Sequence, residues 1–252
     1  MHAAGLAALA VMPASWPWVA GTLVANHALL AGAGLLPRSR MLGANLTRLP
    51  DAAARRGEIA LTFDDGPDPA TTPRVLDLLD AHGARATFFC VGREAARHAA
   101  LVREVVARGH AIENHTERHS TTFGWYGPRR LREDIGAAQH TLSELTGQAP
   151  RFFRAPFGMR SPLLDPALAT LGLRLVSWTR RGFDTAAAPP DRVIARLAHG
   201  LAGGDILVLH DGQATGRRRT PPTVLAVLPE LLARVRDAGL ASVTLRHACD
   251  AR

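Results

Sequence analysis

The sequence predicts an α/β protein: a distorted (β/α) barrel of about seven strands, preceded by an N-terminal hydrophobic helical segment. Three observations support this prediction. After Pro50, short apolar runs alternate with amphipathic stretches, which is typical of α/β folds. The titratable clusters follow the apolar runs, and the carboxyl ends of the strands form the functional rim of such barrels. Residues 1–37 contain no Asp, Glu, Lys or Arg and so differ from everything after them.

The first element is the uncharged segment, in which residues 18–36 form the best candidate span. Its length is close to the roughly 20 residues that cross a bilayer, although Asn26 and His27 lie in its middle. A cleaved signal peptide and a helix packed on the following domain or lying in the membrane interface are the alternatives. If the segment spans, Arg38 and Arg40 favour the cytoplasmic side for the domain after them. We expect a protein associated with the inner membrane of a bacterium, with the side left open.

The remaining elements are short apolar runs that predict strands and amphipathic stretches that predict helices. The predicted strands are residues 59–63, 87–91, 111–113, 152–154, 173–178, 206–210 and 242–245. The predicted helices are residues 73–82, 93–108, 128–145, 191–201 and 223–238. A chain of 252 residues can bury a substantial core. We therefore divide it into a membrane-associating segment (1–37), a linker (38–57) and a barrel (58–252).

The formal net charge of +8 does not by itself indicate a nucleic-acid partner. The chain contains no lysine, and its arginines are scattered rather than gathered into a binding patch. No nucleic-acid recognition motif accompanies them. We expect no nucleic-acid partner.

Two short clusters carry residue types that bind metals. Residues 62–68 (TFDDGPD) bring adjacent carboxylates, Asp64 and Asp65, to the end of a predicted strand. Residues 114–120 (NHTERHS) offer His115 and His119, one helical turn apart. One aspartate with two histidines leaves open positions on a divalent metal, as catalytic sites require, and the other aspartate is then free to act as a base. Zn²⁺ is the metal that this donor set favours, since it can activate a bound water and polarise an amide carbonyl.

Each cluster also has an ordinary structural explanation. Adjacent acids before Gly-Pro often form a turn or a helix cap, and histidines at this spacing are often surface groups. Arg154 could serve a structural ion pair, and His210 could be a buried histidine at a strand end. Because four clusters follow four different predicted strands, a catalytic site explains their arrangement better than coincidence does.

From about Glu58 to the C-terminus, these motifs resemble the NodB-type polysaccharide deacetylases of carbohydrate esterase family 4. Residues 62–68 look like the first motif of that family, which implies that Asp64 is the catalytic base and Asp65 a metal ligand. Residues 115–119 resemble the second motif, which implies that His115 and His119 are ligands and that Thr116 braces the loop between them.

The later motifs are similar to the family pattern with one departure. Residues 154–158 (RAPFG) resemble the third motif, in which Arg154 would orient the base and the backbone near Phe157 would line the site. His210, at the end of residues 207–210, corresponds to the general acid. In the fourth motif, an arginine replaces the first acid and a threonine the aromatic residue, so that only Asp184 is retained. We predict Phe157, Trp178 and Asp184 as substrate-binding residues.

The resemblance implies a metal-dependent hydrolase that removes an N-acetyl group from an amino sugar in a polysaccharide or glycolipid. The altered fourth motif and the N-terminal segment keep a related alternative open, a deformylase or deacetylase of a polyprenyl-linked sugar. A non-catalytic carbohydrate-binding barrel is the alternative from another class of protein. The expected partners are an N-acetylated glycan or glycolipid and, through residues 1–37, a membrane.

Overall fold

The computed structural model describes residues 3–4, 12–186, 188–213 and 222–250. A long N-terminal helix, α1 (Trp16–Leu35), precedes an α/β domain. The strands are β1 (Glu58–Asp64), β2 (Ala86–Cys90), β3 (Ala111–Asn114), β4 (Phe152–Phe153), β5 (Arg174–Leu175), β6 (Arg180–Arg181), β7 (Ile206–His210) and β8 (Ala241–Ser242). The other helices are α2 (Asp51–Arg55), α3 (Thr72–Ala81), α4 (Gly92–Arg97), α5 (Ala99–Ala107), α6 (Pro128–Thr146), α7 (Leu164–Thr170), α8 (Pro190–Ala198), α9 (Thr223–Asp237) and α10 (Leu245–Asp250).

Seven parallel strands form a curled half-barrel in the order β5-β4-β3-β2-β1-β7-β6, and β8 pairs with the start of β1. The predicted fold class, a distorted barrel of about seven strands with an N-terminal hydrophobic helix, is confirmed. Asp64, the last residue of β1, is in register with Phe89 of β2 and His210 of β7. Since the strands are parallel, their carboxyl ends meet at one rim of the sheet.

The centre of the sheet is buried on both faces, which explains why its strands are continuous apolar runs. Every residue of β1 and β2 is buried. One face packs against helices through Phe63 and Phe88, whose stacked rings lie 5.0 Å apart. Phe89 and Phe152 belong to a second core on the concave face. This rigid centre carries the residues that follow β1, β2 and β7.

Most predicted bounds shift by one to three residues, and three differences concern how an element is divided or where it ends. The predicted helix 93–108 is two helices, because His98 between α4 and α5 has non-helical backbone angles. The predicted strand 173–178 is a strand only at Arg174–Leu175, where it pairs with β4, and Val176 then forms an isolated bridge to Leu46. The predicted strand 242–245 stops at Ser242, because the Thr244 hydroxyl accepts a hydrogen bond from the His247 N–H and so caps α10.

Helix α1 meets the domain only at its C-terminal end, and it is long and apolar enough to cross a membrane. Ala33 and Gly34 are its buried residues, and the Gly34 carbonyl accepts a hydrogen bond from the Arg160 N–H at 3.0 Å. The Arg160 guanidinium donates to the carbonyl of Ser39. Residues 38–57, predicted as a linker, contain α2 and the bridge to the sheet edge. This segment therefore fastens α1 to the loop that follows β4.

Candidate active site

Three potential metal ligands converge at the carboxyl rim. Asp65 follows β1, and both His115 and His119 follow β3. The Asp65 Oδ1 lies 3.3 Å from His115 Nε2 and 3.1 Å from His119 Nε2. All three side chains are buried, and their ligand atoms lie within 4.8 Å of one another. Asp65 and His119 both have positive φ, so the backbone turns sharply where it aims these side chains inward.

Hydrogen bonds hold the two histidines in place. His115 Nδ1 lies 2.8 Å from the Arg154 carbonyl, to which it donates, so that the lone pair of Nε2 faces Asp65. The Thr116 N–H donates to the Asn114 side chain, and the Thr116 hydroxyl accepts from the His119 N–H at 2.9 Å. Carbonyl-bound histidines of this kind are typical of metal sites, because the hydrogen bond sets the ring orientation.

The charge states of these groups fit a divalent cation. Burial and the neighbouring His115 lower the pKa of His119 to about 4, so the ring is neutral at pH 7. Burial alone would raise the pKa of Asp65, but the hydrogen bond to His115 and the nearby His210 and His119 outweigh it and lower that pKa. A carboxylate and two imidazoles are a donor set that binds zinc and leaves coordination positions open. The residues therefore fit the metal that the sequence predicted.

Asp64 points away from the ligands toward Arg154. The Arg154 guanidinium donates to Asp64 Oδ1 at 2.7 Å and to the Thr62 hydroxyl at 2.7 Å. It also donates to the Ser177 carbonyl and lies 4.1 Å from the centre of the Phe89 ring. Arg154 is only 1% exposed, so its position is set by these contacts. A carboxylate held in this orientation beside the metal ligands can accept a proton.

On the opposite side, His210 is paired with Asp184. The Asp184 carboxylate accepts from the His210 ring Nδ1 and from the His210 backbone N–H, each at 2.9 Å. Burial alone would lower the pKa of His210, but Asp184 and, at longer range, Asp65 outweigh it and raise that pKa to about 9. A protonated His210 can donate a proton to a leaving group at neutral pH.

One small cavity of about 70 Å³ unites the predicted site. Seven of the nine predicted residues line it: Asp64, Asp65, His115, His119, Phe157, Trp178 and His210. Arg154 lies behind Asp64, and Asp184 lies behind His210. Phe157 is 38% exposed and sets its ring edge against His119 at 4.9 Å, whereas Trp178 is only 7% exposed. Arg181 and Thr185, from the altered fourth motif, also line the cavity.

Three supporting residues were missed in the sequence. Thr62 bridges Arg154 and the Leu207 carbonyl, and Asn114 braces the turn to Thr116. Asp211 accepts from the Thr72 hydroxyl, and burial raises its pKa to about 7. Thr62 alternates with Asp64 along β1 and so shares its face, a signal that period-two spacing could have revealed. The other two depend on contacts between distant segments.

Comparisons with known proteins agree with this geometry. Residues 51–176 match the family described as polysaccharide deacetylase. A chitooligosaccharide deacetylase of Bradyrhizobium sp. is 36% identical over 163 residues, which are 64% of this chain and 74% of that protein. A peptidoglycan-N-acetylglucosamine deacetylase of Bacillus cereus is 35% identical over 175 residues, or 69% of this chain and 81% of that protein.

A solved structure supports the same conclusion. The family 4 carbohydrate esterase from Streptomyces lividans, in complex with acetate, superposes with a TM-score of 0.67 at 30% identity. The superposition covers 74% of this chain and 91% of that chain. The family match, the identities and the shared fold agree with the motifs at the rim. The chain belongs to the NodB-type polysaccharide deacetylases of carbohydrate esterase family 4, a family of metal-dependent amide hydrolases.

Proposed function

We propose that the protein removes the N-acetyl group from an N-acetylglucosamine residue of a glycan, with Zn²⁺ held by Asp65, His115 and His119. One observation carries this proposal: the three ligand side chains converge while Asp64, the adjacent carboxylate, is turned toward Arg154. The chitooligosaccharide and peptidoglycan deacetylases to which the chain is similar support N-acetylglucosamine as the sugar.

A divalent cation at this site would supply Lewis-acid polarisation of the amide carbonyl and a bound water of lowered pKa. In our proposal Asp64 accepts the proton of the attacking water. Arg154 holds that carboxylate in one orientation and supplies the opposite charge beside it in a buried environment. The N–H groups of Gly158 and Met159 already bond to the Ala155 and Pro156 carbonyls, so the N–H of Phe157 itself is our candidate for stabilising the negative charge on the carbonyl oxygen.

On the other side of the cavity, we assign His210 as the general acid that protonates the departing sugar amine. Asp184 keeps His210 protonated and correctly oriented, because both carboxylate oxygens bond to it. Because both of its oxygens bond to His210, Asp184 has a positioning role in our proposal rather than the substrate contact expected from the sequence. Phe157 and Trp178 remain our candidates for the walls that contact the sugar and its acyl group.

The position of α1 favours a second candidate, deformylation or deacetylation of a polyprenyl-linked sugar. Trp18 and Val24 are 81% and 70% exposed, as in a helix that a bilayer would cover. The segment after α1 touches the catalytic loop, since Pro37 packs against Gly158 and its carbonyl accepts from the Ser177 hydroxyl. We propose that α1 attaches the protein to the membrane, with the cavity near the surface.

Two assays test the proposed function. Full-length protein stripped of metal should release no acetate from chitooligosaccharides, and Zn²⁺ should restore release. The same protein should then be given polyprenyl-linked N-acetyl and N-formyl sugars in vesicles. Activity confined to soluble oligosaccharides would reject the lipid-linked candidate, and absence of release from every substrate after metal loading would reject the proposed reaction.

A further inference from the structure

Arg181 projects a cation into the catalytic cavity. It ends β6 and pairs in register with Val208, two residues before His210. Its guanidinium lies 5.1 Å from the centre of the Trp178 ring and 4.9 Å from that of Phe183. Arginine stacked on two aromatic rings is held in position with its planar edge free to bind.

This guanidinium has no acidic partner within the part of the chain that the structure describes. Its Nε is buried and has no hydrogen-bond acceptor there. The carboxylates around the cavity are engaged elsewhere, since Asp64 bonds to Arg154 and Asp184 to His210. The residues outside the described ranges contain no Asp or Glu. The preceding residue differs, because Arg180 forms an ion pair with the buried Asp205.

The charge around the cavity adds an independent argument. When His210 is protonated and the nearby Asp211 is ionised, four carboxylates accompany three cationic side chains: Asp64, Asp65, Asp184 and Asp211 with Arg154, Arg181 and His210. A divalent cation on its ligands would still leave these groups positive overall. A positive, partly buried cavity favours an anionic ligand. An arginine without a protein partner supplies a directional contact for one, since its fork matches carboxylate and phosphate oxygens.

We propose that Arg181 selects acylamino sugars that carry an anionic group, a carboxylate or a phosphate, beside the acylated position. The inference rests on the proposed function, because it names the substrate class of the same site. Arg181 binds the anion, and the sugar's acylamino group then lies toward Asp65 and His119. Neutral chitooligosaccharides lack this contact and are the poorer substrates.

The test compares three small substrates in three proteins. The substrates are N-acetylglucosamine 1-phosphate, N-acetylmuramic acid and the neutral methyl glycoside of N-acetylglucosamine. The proteins are the wild type, Arg181→Gln and the matched control Arg196→Gln. Arg196 lies 5.4 Å from the same Phe183 ring but is exposed and outside the cavity.

The readout is the ratio of kcat/KM for an anionic substrate to that for the neutral glycoside. A hydrogen bond to a charged group contributes about 1.5–3 kcal/mol, so Arg181→Gln should lower this ratio by about 10- to 100-fold. Arg196→Gln should keep the wild-type ratio. The anionic substrate with the larger ratio in the wild type shows whether Arg181 prefers a phosphate or a carboxylate. Equal ratios in the wild type and Arg181→Gln would overturn the inference.

A binding measurement separates this inference from the proposed reaction. N-acetylglucosamine 1-phosphate is titrated calorimetrically into metal-free wild type and each variant. Weaker binding in Arg181→Gln alone would support the inference even if no acyl group is released from any substrate. Equal affinity in all three proteins would overturn it, whatever the activity of the metal-loaded enzyme.

Discussion

The two sides of the cavity are built differently. On the side of β1, β3 and β4, the base and the ligands bond to other members of the site, as Asp64 does to Arg154, although the Nδ1 of His119 has no described partner. On the side of β6 and β7, the His210–Asp184 pair is equally well bonded, but Arg181 beside it has no described partner. The first side follows the family motifs, whereas the second keeps His210 and Asp184 but departs from the motifs at Arg181 and Thr185.

This difference indicates that the first side serves the reaction and that Arg181, on the second side, serves the choice of substrate. Residues that activate water must keep one geometry, and their mutual hydrogen bonds leave no room for substitution. A residue that touches only the variable part of a substrate is free to change, and an unpaired cation is stable there if the ligand supplies the opposite charge. We therefore expect breaks on the first side to abolish turnover and changes on the second to alter selectivity and pH dependence.

Arg154→Met is the most damaging change that we expect on the first side. It leaves Asp64 buried without its partner, which should cost about 3–5 kcal/mol of unfolding free energy. It should also lower kcat by about 10³-fold, since the base loses its orientation. Thermal unfolding and acetate release measure the two effects. Arg151→Met is the control, because its ion pair with Asp250 is largely exposed and should change the melting temperature little.

Thr116→Ala should weaken the metal site without removing a ligand. It deletes the hydroxyl that accepts from the His119 N–H, so the ligand loop loses a brace. Loss of such outer contacts typically lowers metal affinity by about 10- to 100-fold. Competition with a chelator measures the affinity, and excess Zn²⁺ should restore most of the activity. Thr122→Ala, farther along the same loop, serves as the reference, and an unchanged metal affinity in Thr116→Ala would contradict the assigned role.

On the second side of the cavity, Asp184→Asn should change the pH dependence of kcat/KM. His210 acts as an acid only while protonated, so activity is lost as pH rises through its pKa. Asp184 raises that pKa to about 9. Removing its charge should move the alkaline limb of the pH profile to lower pH by at least about one unit, so that kcat/KM at a pH above the limb falls about tenfold. The pH profile of kcat/KM measures this shift. An unmoved alkaline limb would show that His210 is not the titrating acid, and the exposed Asp191→Asn should leave the limb in place.

The sequence alone predicted the family, the fold class and the convergence of the clusters on one rim. This was possible because Asp64, His115, Arg154 and His210 each follow a strand, and parallel strands end at the same edge. The local pattern also predicted most helices. It did not predict that His98 divides a helix, and it could not predict that Val176 pairs with Leu46, since that pairing depends on a distant segment.

The supporting contacts were equally beyond the sequence. Nothing local indicates that Asp184 would place both oxygens on His210, or that Arg181 would stack between Trp178 and Phe183. Trp125 and Tyr126 illustrate the same problem, since adjacent aromatic residues look alike in the sequence. In the structure Tyr126 is buried in the core and Trp125 is 88% exposed. The catalytic roles of the site residues stay predictions until they are measured.

The most direct test of the site is the metal content of two adjacent variants, Asp64→Asn and Asp65→Asn. If Asp65 is a ligand and Asp64 the base, the first variant should retain one equivalent of Zn²⁺ but lose turnover by about 10²- to 10⁴-fold. The second should lose both metal and turnover. An Asp64→Asn protein that still releases acetate, or one that loses its metal, would contradict the assignment of base and ligand.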